Sequence, residues 1–418
     1  MARTTMSADQ GEVLPASGNR DPYSAYRFVG NAFALVVVAA ALAEFVWNWR
    51  HPTDRDFLGF WGAARLALAG HPSAAYDNGA LHAVEAAAAT FGSRLAELPF
   101  PYPPAYLLFV MPFGLMSFPL AMAAWSLCTF ALYLLAARRL MPGSGWLAAA
   151  IPAVFANAAI GQNGFLTAGL FMGGLSLLGS SPFAAGLILG CLVIKPQLAI
   201  LLPVALIAGR HWRAIAGAAL SSAGLMLLGL VLFGTGATTA WLHEAPLLAR
   251  IMDQGLAGWS KLASVYAAAR QLGIAPGAAI AIHAVVALTA AVAVWRIWRS
   301  QAEDALKFAA LAAASMLMSP YLFFYDGLIL VPAFFWLARE SRRPGLLLAL
   351  WCLPLLMIGQ IALFGSSVNL NPLAPIAFLA LLWRCFQADR RDVGSGNSAA
   401  TLRIWQRCPV SISQLLAP

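Results

Sequence analysis

The sequence predicts an all-α polytopic membrane bundle, and three observations carry that expectation. Hydrophobic residues make up 61% of the chain and charged ones only 10%, and mean hydropathy is +0.74. No water-soluble core could hide that much apolar surface. The apolar residues also fall in long runs separated by short polar turns, as membrane helices require. Finally, the net charge of +9 sits in short basic groups between those runs: Arg138-Arg139, Arg210 to Arg213, Arg296 to Arg299, Arg339 to Arg343 and Arg384 to Arg391. That is the positive-inside pattern, so the charge reports topology and excludes nucleic acid as the partner. About 20 apolar residues per upright crossing, fewer where a helix is short, leaves room for about 10 to 12 spans and for no large soluble domain.

In chain order, residues 1–27 are polar and lack a signal-peptide core, so they read as a cytoplasmic tail. A first span over about Phe28 to Trp47 delivers the chain to an outer segment, 49–102, the longest non-apolar stretch. Within it, 57–69 and 80–97 have the spacing of amphipathic helices lying on the membrane surface. Apolar runs follow at 105–137, 145–160, 164–180, 182–209, 213–233, 279–298, 305–320, 326–338, 345–363 and 372–386. Pro112 and Pro119 divide the first of these into a re-entrant piece and a span. Lys195-Pro196-Gln197 divides 182–209 into two short helices meeting on the outer side. The bundle thus occupies 28–386, with a second outer loop at 234–278 and a cytoplasmic tail at 387–418.

The five cysteines and six histidines show neither a disulfide framework nor metal-ligand spacing, and no protein-bound metal or other cofactor is expected. With the basic groups inside, the polar exceptions converge on the outer face. Asp54 and Asp56 are either a solvated pair at a helix start or, with Glu44 near the end of the first span, acids around an aqueous pocket. Lys195, in an otherwise apolar stretch, is either a snorkelling side chain or a point charge for a phosphate. Gln162 and Asn163 form a turn or bind sugar hydroxyls. Tyr325-Asp326 cap a helix or belong to the same pocket. Trp47, Trp49, Trp241 and Trp295 read as interface anchors.

In order, Asp56-Phe57 with Phe60-Trp61, Gly70-His71-Pro72 to Tyr76-Asp77, Phe100-Pro101-Tyr102-Pro103-Pro104, Gly161-Gln162-Asn163, Ile194-Lys195-Pro196 and Ser319-Pro320 with Tyr325-Asp326 form a series. It resembles glycosyltransferase family 87, membrane enzymes of the GT-C type that include a phosphatidylinositol-mannoside mannosyltransferase. The resemblance spans about residues 30–385 and implies a multi-pass cytoplasmic-membrane enzyme of the cell envelope with its active site facing the periplasm. It implies transfer of a hexose, mannose in some relatives, from a polyprenyl-phosphate-sugar donor to a lipid or glycan acceptor. By motif position Asp56 is the catalytic base, with Asp54 as the other choice. Lys195 is the cation for the leaving phosphate, and Asp54, Tyr102, Gln162, Asn163, Tyr325 and Asp326 line the substrate site. Direct displacement would invert the anomeric carbon. The histidine that some relatives carry in the Ser-Pro segment is absent here, so its role is either missing or taken by Tyr325. Membrane lipids surround the enzyme. A lipid-linked glycan flippase and a polysaccharide ligase are the competing classes; the first calls for inverted repeats, which the sequence does not show.

Overall fold

The computed structural model describes residues 23, 26–50, 56–88, 99–340, 345–346, 348–352 and 368–394. Helices dominate, and the described residues contain no strand, only an isolated bridge between Leu262 and Phe323. Asp54 and most of the amino-terminal and carboxy-terminal tails lie outside the described residues.

Among the described residues, four helices are long and apolar enough to cross a membrane, over Arg27–Glu44, Phe118–Leu140, Trp212–Asp253 and Pro276–Trp298. The expected 10 to 12 spans do not appear as 10 to 12 such helices. Several apolar runs are instead broken by Pro, Gly and polar turns into pieces such as Pro104–Gly114, Gly164–Ser176, Pro182–Ile194 and Pro196–Ala208. Broken helices are tolerated at membrane depth only where neighbouring protein satisfies the freed backbone groups, and the breaks here are where the polar residues collect.

The chain opens with α1 (Arg27–Arg50), which packs on the turn Gly145–Ala150 and on α6 (Pro152–Ile160). Just before it, Tyr23 is buried with its ring edge-on to Phe335, 5.3 Å between centroids. Next come α2 (Asp56–Leu68), the 3₁₀ turn Pro72–Tyr76 and α3 (Asn78–Ala88). The sequence suggests surface helices, but in α2 every residue from Phe57 to Ala64 is buried. The reason is an aromatic layer beneath it: Phe60 meets Tyr102 and Tyr106 edge-on at 5.3 Å each, and Phe57 stacks on Trp125 at 5.8 Å. A helix with large apolar groups around most of its circumference is a core helix, whatever its flanks. Asp77 caps α3 by accepting from the Ala80 N–H at 2.8 Å, and the Tyr76 hydroxyl donates to the Tyr102 carbonyl at 3.0 Å.

The 105–137 run divides as expected, into α4 (Leu107–Gly114, containing Pro112) and the long α5 (Phe118–Leu140). After α6, α7 (Gly164–Ser176) and α8 (Pro182–Gly190) form a hairpin. α7 descends over 13 residues, about 20 Å at 1.5 Å per residue. α8 with the 3₁₀ turn Cys191–Ile194 climbs back over a matching length, which returns Lys195 to the level of Asn163. α9 (Pro196–Ala199) and α10 (Leu201–Ala208) then descend again.

α11 (Trp212–Asp253) continues through the first part, 234–253, of what reads in sequence as the second outer loop. It bends at Gly234, whose φ of 80° and ψ of 170° are open to glycine because it lacks a Cβ. Its lower half presses on α8 through small residues, a common way for membrane helices to approach closely. A Cβ on Gly186 would lie 2.0 Å from the Ala214 carbonyl oxygen, and one on Gly217 2.2 Å from that of Phe183. Its upper half leans on the Pro72–Tyr76 turn, with the Asn78 amide donating to Glu244 at 3.2 Å.

α12 (Val265–Gln271), α13 (Pro276–Trp298), α14 (Asp304–Ser315), the 3₁₀ stretch Phe324–Leu330, α15 (Val331–Glu340) and α16 (Leu373–Gly394) complete the bundle. α16 carries helix beyond the 386 boundary expected for the bundle. At its head, the Asn369 amide donates to the Trp259 and Leu262 carbonyls (2.7 and 2.9 Å) and that of Asn371 to the Ser260 and Leu262 carbonyls (2.8 and 3.2 Å), clamping the 259–262 loop.

Candidate active site

Asp56 opens α2, where the positive end of the helix dipole favours a carboxylate. Its Oδ2 accepts a 2.8 Å hydrogen bond from Gln162 Nε2, which joins the start of α2 to the α6–α7 junction. That junction is built to fix its side chains. Gly161 ends α6 in the left-handed region (φ 69°), and a Cβ there would sit 2.6 Å from Cβ of Phe57. The Gly161 carbonyl accepts from Trp125 Nε1 at 3.1 Å. Asn157, buried in α6, takes the Gln162 N–H on its carbonyl (3.1 Å) and the Gly164 N–H on Oδ1 (2.8 Å). Gln162 Oε1 accepts the Asn163 N–H at 3.1 Å, so both ends of the Gln162 amide are engaged.

Asn163 passes the network on. Its Oδ1 accepts from Lys195 Nζ at 3.2 Å, and the same ammonium lies 2.6 Å from Asp326 Oδ1. Lys195 is 3% exposed and Asp326 2%, so this is a buried ion pair and not a snorkelling lysine. The ring of Tyr325 lies 4.7 Å from Nζ, a cation–π contact in a desolvated setting. Asp326 also accepts the Phe323 N–H on Oδ2 at 3.1 Å. It therefore caps its turn and pairs with Lys195 at once.

Tyr102 closes the ring from the Pro-rich segment ahead of α4. Burial pushes its hydroxyl well above the usual tyrosine range; the carboxylate of Asp326 and, less strongly, that of Asp56 push the same way, while Asn163 and Tyr325 oppose them as hydrogen-bonding neighbours. Tyr102 is thus a neutral hydroxyl between the two acids. The Asn163 side-chain amide and the Tyr106 hydroxyl are buried beside this hydroxyl, so three polar groups of the ring stand close enough together to share a ligand oxygen.

The Ser319–Asp326 segment is held from outside the ring. Ser264 Oγ donates to the Pro320 carbonyl and the Ala263 N–H to that of Leu322, each at 2.6 Å. The hydroxyls of Tyr321 and Tyr266 both donate to Asp253 Oδ1, at 2.9 and 3.0 Å.

Seven residues singled out in the sequence, Asp56, Tyr102, Gln162, Asn163, Lys195, Tyr325 and Asp326, therefore form one connected cluster from five separated segments. A sequence profile of glycosyltransferase family 87 matches residues 100–320, just over half of the chain. The chain belongs to glycosyltransferase family 87. It is accordingly a membrane glycosyltransferase, which uses a sugar donor and an acceptor. No curated protein and no solved structure matches it. The matched stretch holds Tyr102, Gln162, Asn163 and Lys195. Asp56 and Asp326 lie outside it and are tied to it by the Gln162 and Lys195 bonds.

Glu44 is half-buried on α1. No group of three or more His, Cys, Asp or Glu suited to a metal occurs among the described residues. Residues the sequence left unremarked are Trp125, Asn157, Ser264 and Asp253, all of which hold the cluster in place. Of these, Asn157 carried a signal, a lone amide inside an apolar helix. The Gly70-His71-Pro72 to Tyr76-Asp77 motif turns out to be structural: it ends α2, caps α3 and ties Tyr76 to the Tyr102 backbone.

Proposed function

We propose that this family 87 enzyme transfers a hexose from a polyprenyl-phosphate-sugar to a hydroxyl of a lipid or glycan acceptor at the periplasmic face of the cytoplasmic membrane, with Asp56 as general base. The observation that carries the proposal is the Gln162–Asp56 bond. It sets a carboxylate from the first outer segment against the amide turn and, through Asn163, against the one lysine of the cluster.

In the proposed reaction Asp56 takes the proton of the acceptor hydroxyl as the acceptor oxygen bonds to the anomeric carbon. The bond from that carbon to the phosphate oxygen breaks, and polyprenyl phosphate departs with the electron pair. In-line displacement inverts the anomeric centre. Gln162 holds Asp56 in one orientation, which is the positional advantage an enzyme exploits. Lys195, fixed by Asp326 and Asn163, supplies positive potential where the leaving phosphate gathers charge. Asn163, Tyr102 and Tyr325 donate to sugar hydroxyls.

The test is transfer of radiolabelled sugar from a panel of polyprenyl-phosphate sugars to membrane lipid by purified protein. Asp56→Asn, monodisperse and as heat-resistant as wild type, should lose at least 100-fold of the transfer, the usual scale for a general base. Equal activity in the two proteins removes Asp56 from the mechanism.

A further inference from the structure

α14 is 12 residues long, about 18 Å, and it separates the cluster at its C-terminal end from a second feature at its N-terminal end. Between the last turns of α13 and the second half of α16 lies a cleft of about 980 Å³, whose walls include Trp295, Arg296, Arg299, Trp383, Phe386 and Arg390. All three guanidinium groups belong to exposed residues, and the one carboxylate on the cleft wall is Asp389. Two positive charges are therefore in excess. Two other cations at this end are paired: Arg339 with Glu303 and Glu340, and Lys307 with Asp304. Arg390 lies over the Phe386 ring, 5.8 Å from its centroid, and makes no ion pair among the described residues.

The face of α13 that leads into the cleft is an apolar track. Val285, Leu288, Val292 and Trp295 are 66%, 66%, 43% and 37% exposed and recur at helical spacing, with Arg299 one turn further on. Trp295 and Trp383 flank the cationic end, the usual position of interfacial aromatics. An occupant that satisfies both parts has a doubly negative head and hydrocarbon chains. We propose that this cleft binds an anionic phospholipid with two phosphates in its headgroup, the cardiolipin class. The arginines hold the phosphates bidentately, and an acyl chain lies along α13.

Full-length protein purified in detergent is titrated with tetraoleoyl cardiolipin, dioleoyl phosphatidylcholine and inorganic phosphate, with bound lipid read by native mass spectrometry. Cardiolipin should bind at one copy per chain and more tightly than phosphatidylcholine. The variant Arg296→Gln/Arg299→Gln/Arg390→Gln should weaken cardiolipin at least tenfold, while Arg138→Gln/Arg139→Gln, basic residues outside the cleft, should leave it unchanged. Equal loss in both variants would reduce the effect to general surface charge and overturn the site. So would phosphatidylcholine binding as tightly as cardiolipin. Displacement of cardiolipin by micromolar inorganic phosphate would mark a soluble-phosphate site and overturn the lipid assignment. Should the triple variant not purify as a monodisperse species, Arg299→Gln alone decides: threefold weaker binding supports the site and unchanged binding overturns it.

Discussion

Removing one member of the Lys195–Asp326 pair should be among the most damaging single changes open to this protein, and removing both should be milder. At 2.6 Å and an effective dielectric of about 20, the Coulomb attraction is about 6 kcal/mol, and desolvation of the two groups cancels much of it. Asp326→Asn keeps the shape but leaves a buried ammonium facing a neutral amide, a loss of about 3–5 kcal/mol. Lys195→Met leaves the carboxylate equally stranded, with only the Phe323 N–H to stabilise it. Replacing both, Lys195→Met with Asp326→Leu, removes the uncompensated charge and should recover most of that loss, because only neutral groups, the Phe323 N–H and Asn163 Oδ1, then lose a partner and the Tyr325 ring can pack on the methionine. Thermal unfolding of the purified variants in one detergent reads this. Each single change should lower the midpoint by about 5 °C or more, and the double variant should lie within a few degrees of wild type. Transfer activity should be lost in all three, since the cation is missing or misplaced. A double variant less stable than either single change would refute the reasoning, as would an Asp326→Asn protein that unfolds with wild type.

Gly161→Ala forces a side chain into the left-handed region and against Phe57 at 2.6 Å. It should displace the start of α2 and cost about 1–3 kcal/mol, with a drop in kcat larger than the change in KM. Trp125→Phe keeps the ring stack on Phe57 but leaves the buried Gly161 carbonyl without its donor, a loss of about 1–3 kcal/mol, seen as a lower unfolding midpoint. Because burial raises the Tyr102 pKa above its ordinary value of 10.0, its hydroxyl stays protonated at every pH up to that value. Tyr102→Phe should therefore lower transfer by a constant factor between about pH 6 and 9; an alkaline limb in wild type that vanishes in Tyr102→Phe would show that the hydroxyl titrates in the working range. Asp253→Asn weakens the acceptor shared by Tyr266 and Tyr321. It should loosen the Ser319–Asp326 segment, visible as faster amide exchange at Tyr321 to Phe324 with little change in exchange at Gln162.

The chemical candidates were visible in the sequence because polarity is conspicuous in an apolar chain: a lysine in the 189–202 stretch, an amide pair between two apolar runs, a carboxylate after Ser-Pro. The breaks at Lys195 and Gly161 were also legible, since Pro and Gly fix local backbone whatever surrounds them. Helix periodicity placed α2, α13 and α14 within a few residues and the start of α3 within two. It misjudged the environment of α2, and it missed the continuation of α11 past Gly234.

Both errors have one cause. Periodicity records what a helix could bury, whereas burial itself depends on what lies opposite, here the Tyr102, Tyr106 and Trp125 rings from segments about 40 to 70 residues away in the chain. The number of spans is likewise not fixed by the runs, because an apolar run does not say whether its helix crosses the bilayer or stops at a turn buried in protein. By itself, then, the sequence determined that this is a helical membrane protein, and which polar residues stand out in it. Only the tertiary structure decided that Lys195 takes Asp326 and that Asp56 takes Gln162, because pairing of buried charges and amides is fixed by the matched lengths of α7 and of α8 with its 3₁₀ turn and by the close approach of small residues, distances that no local pattern encodes.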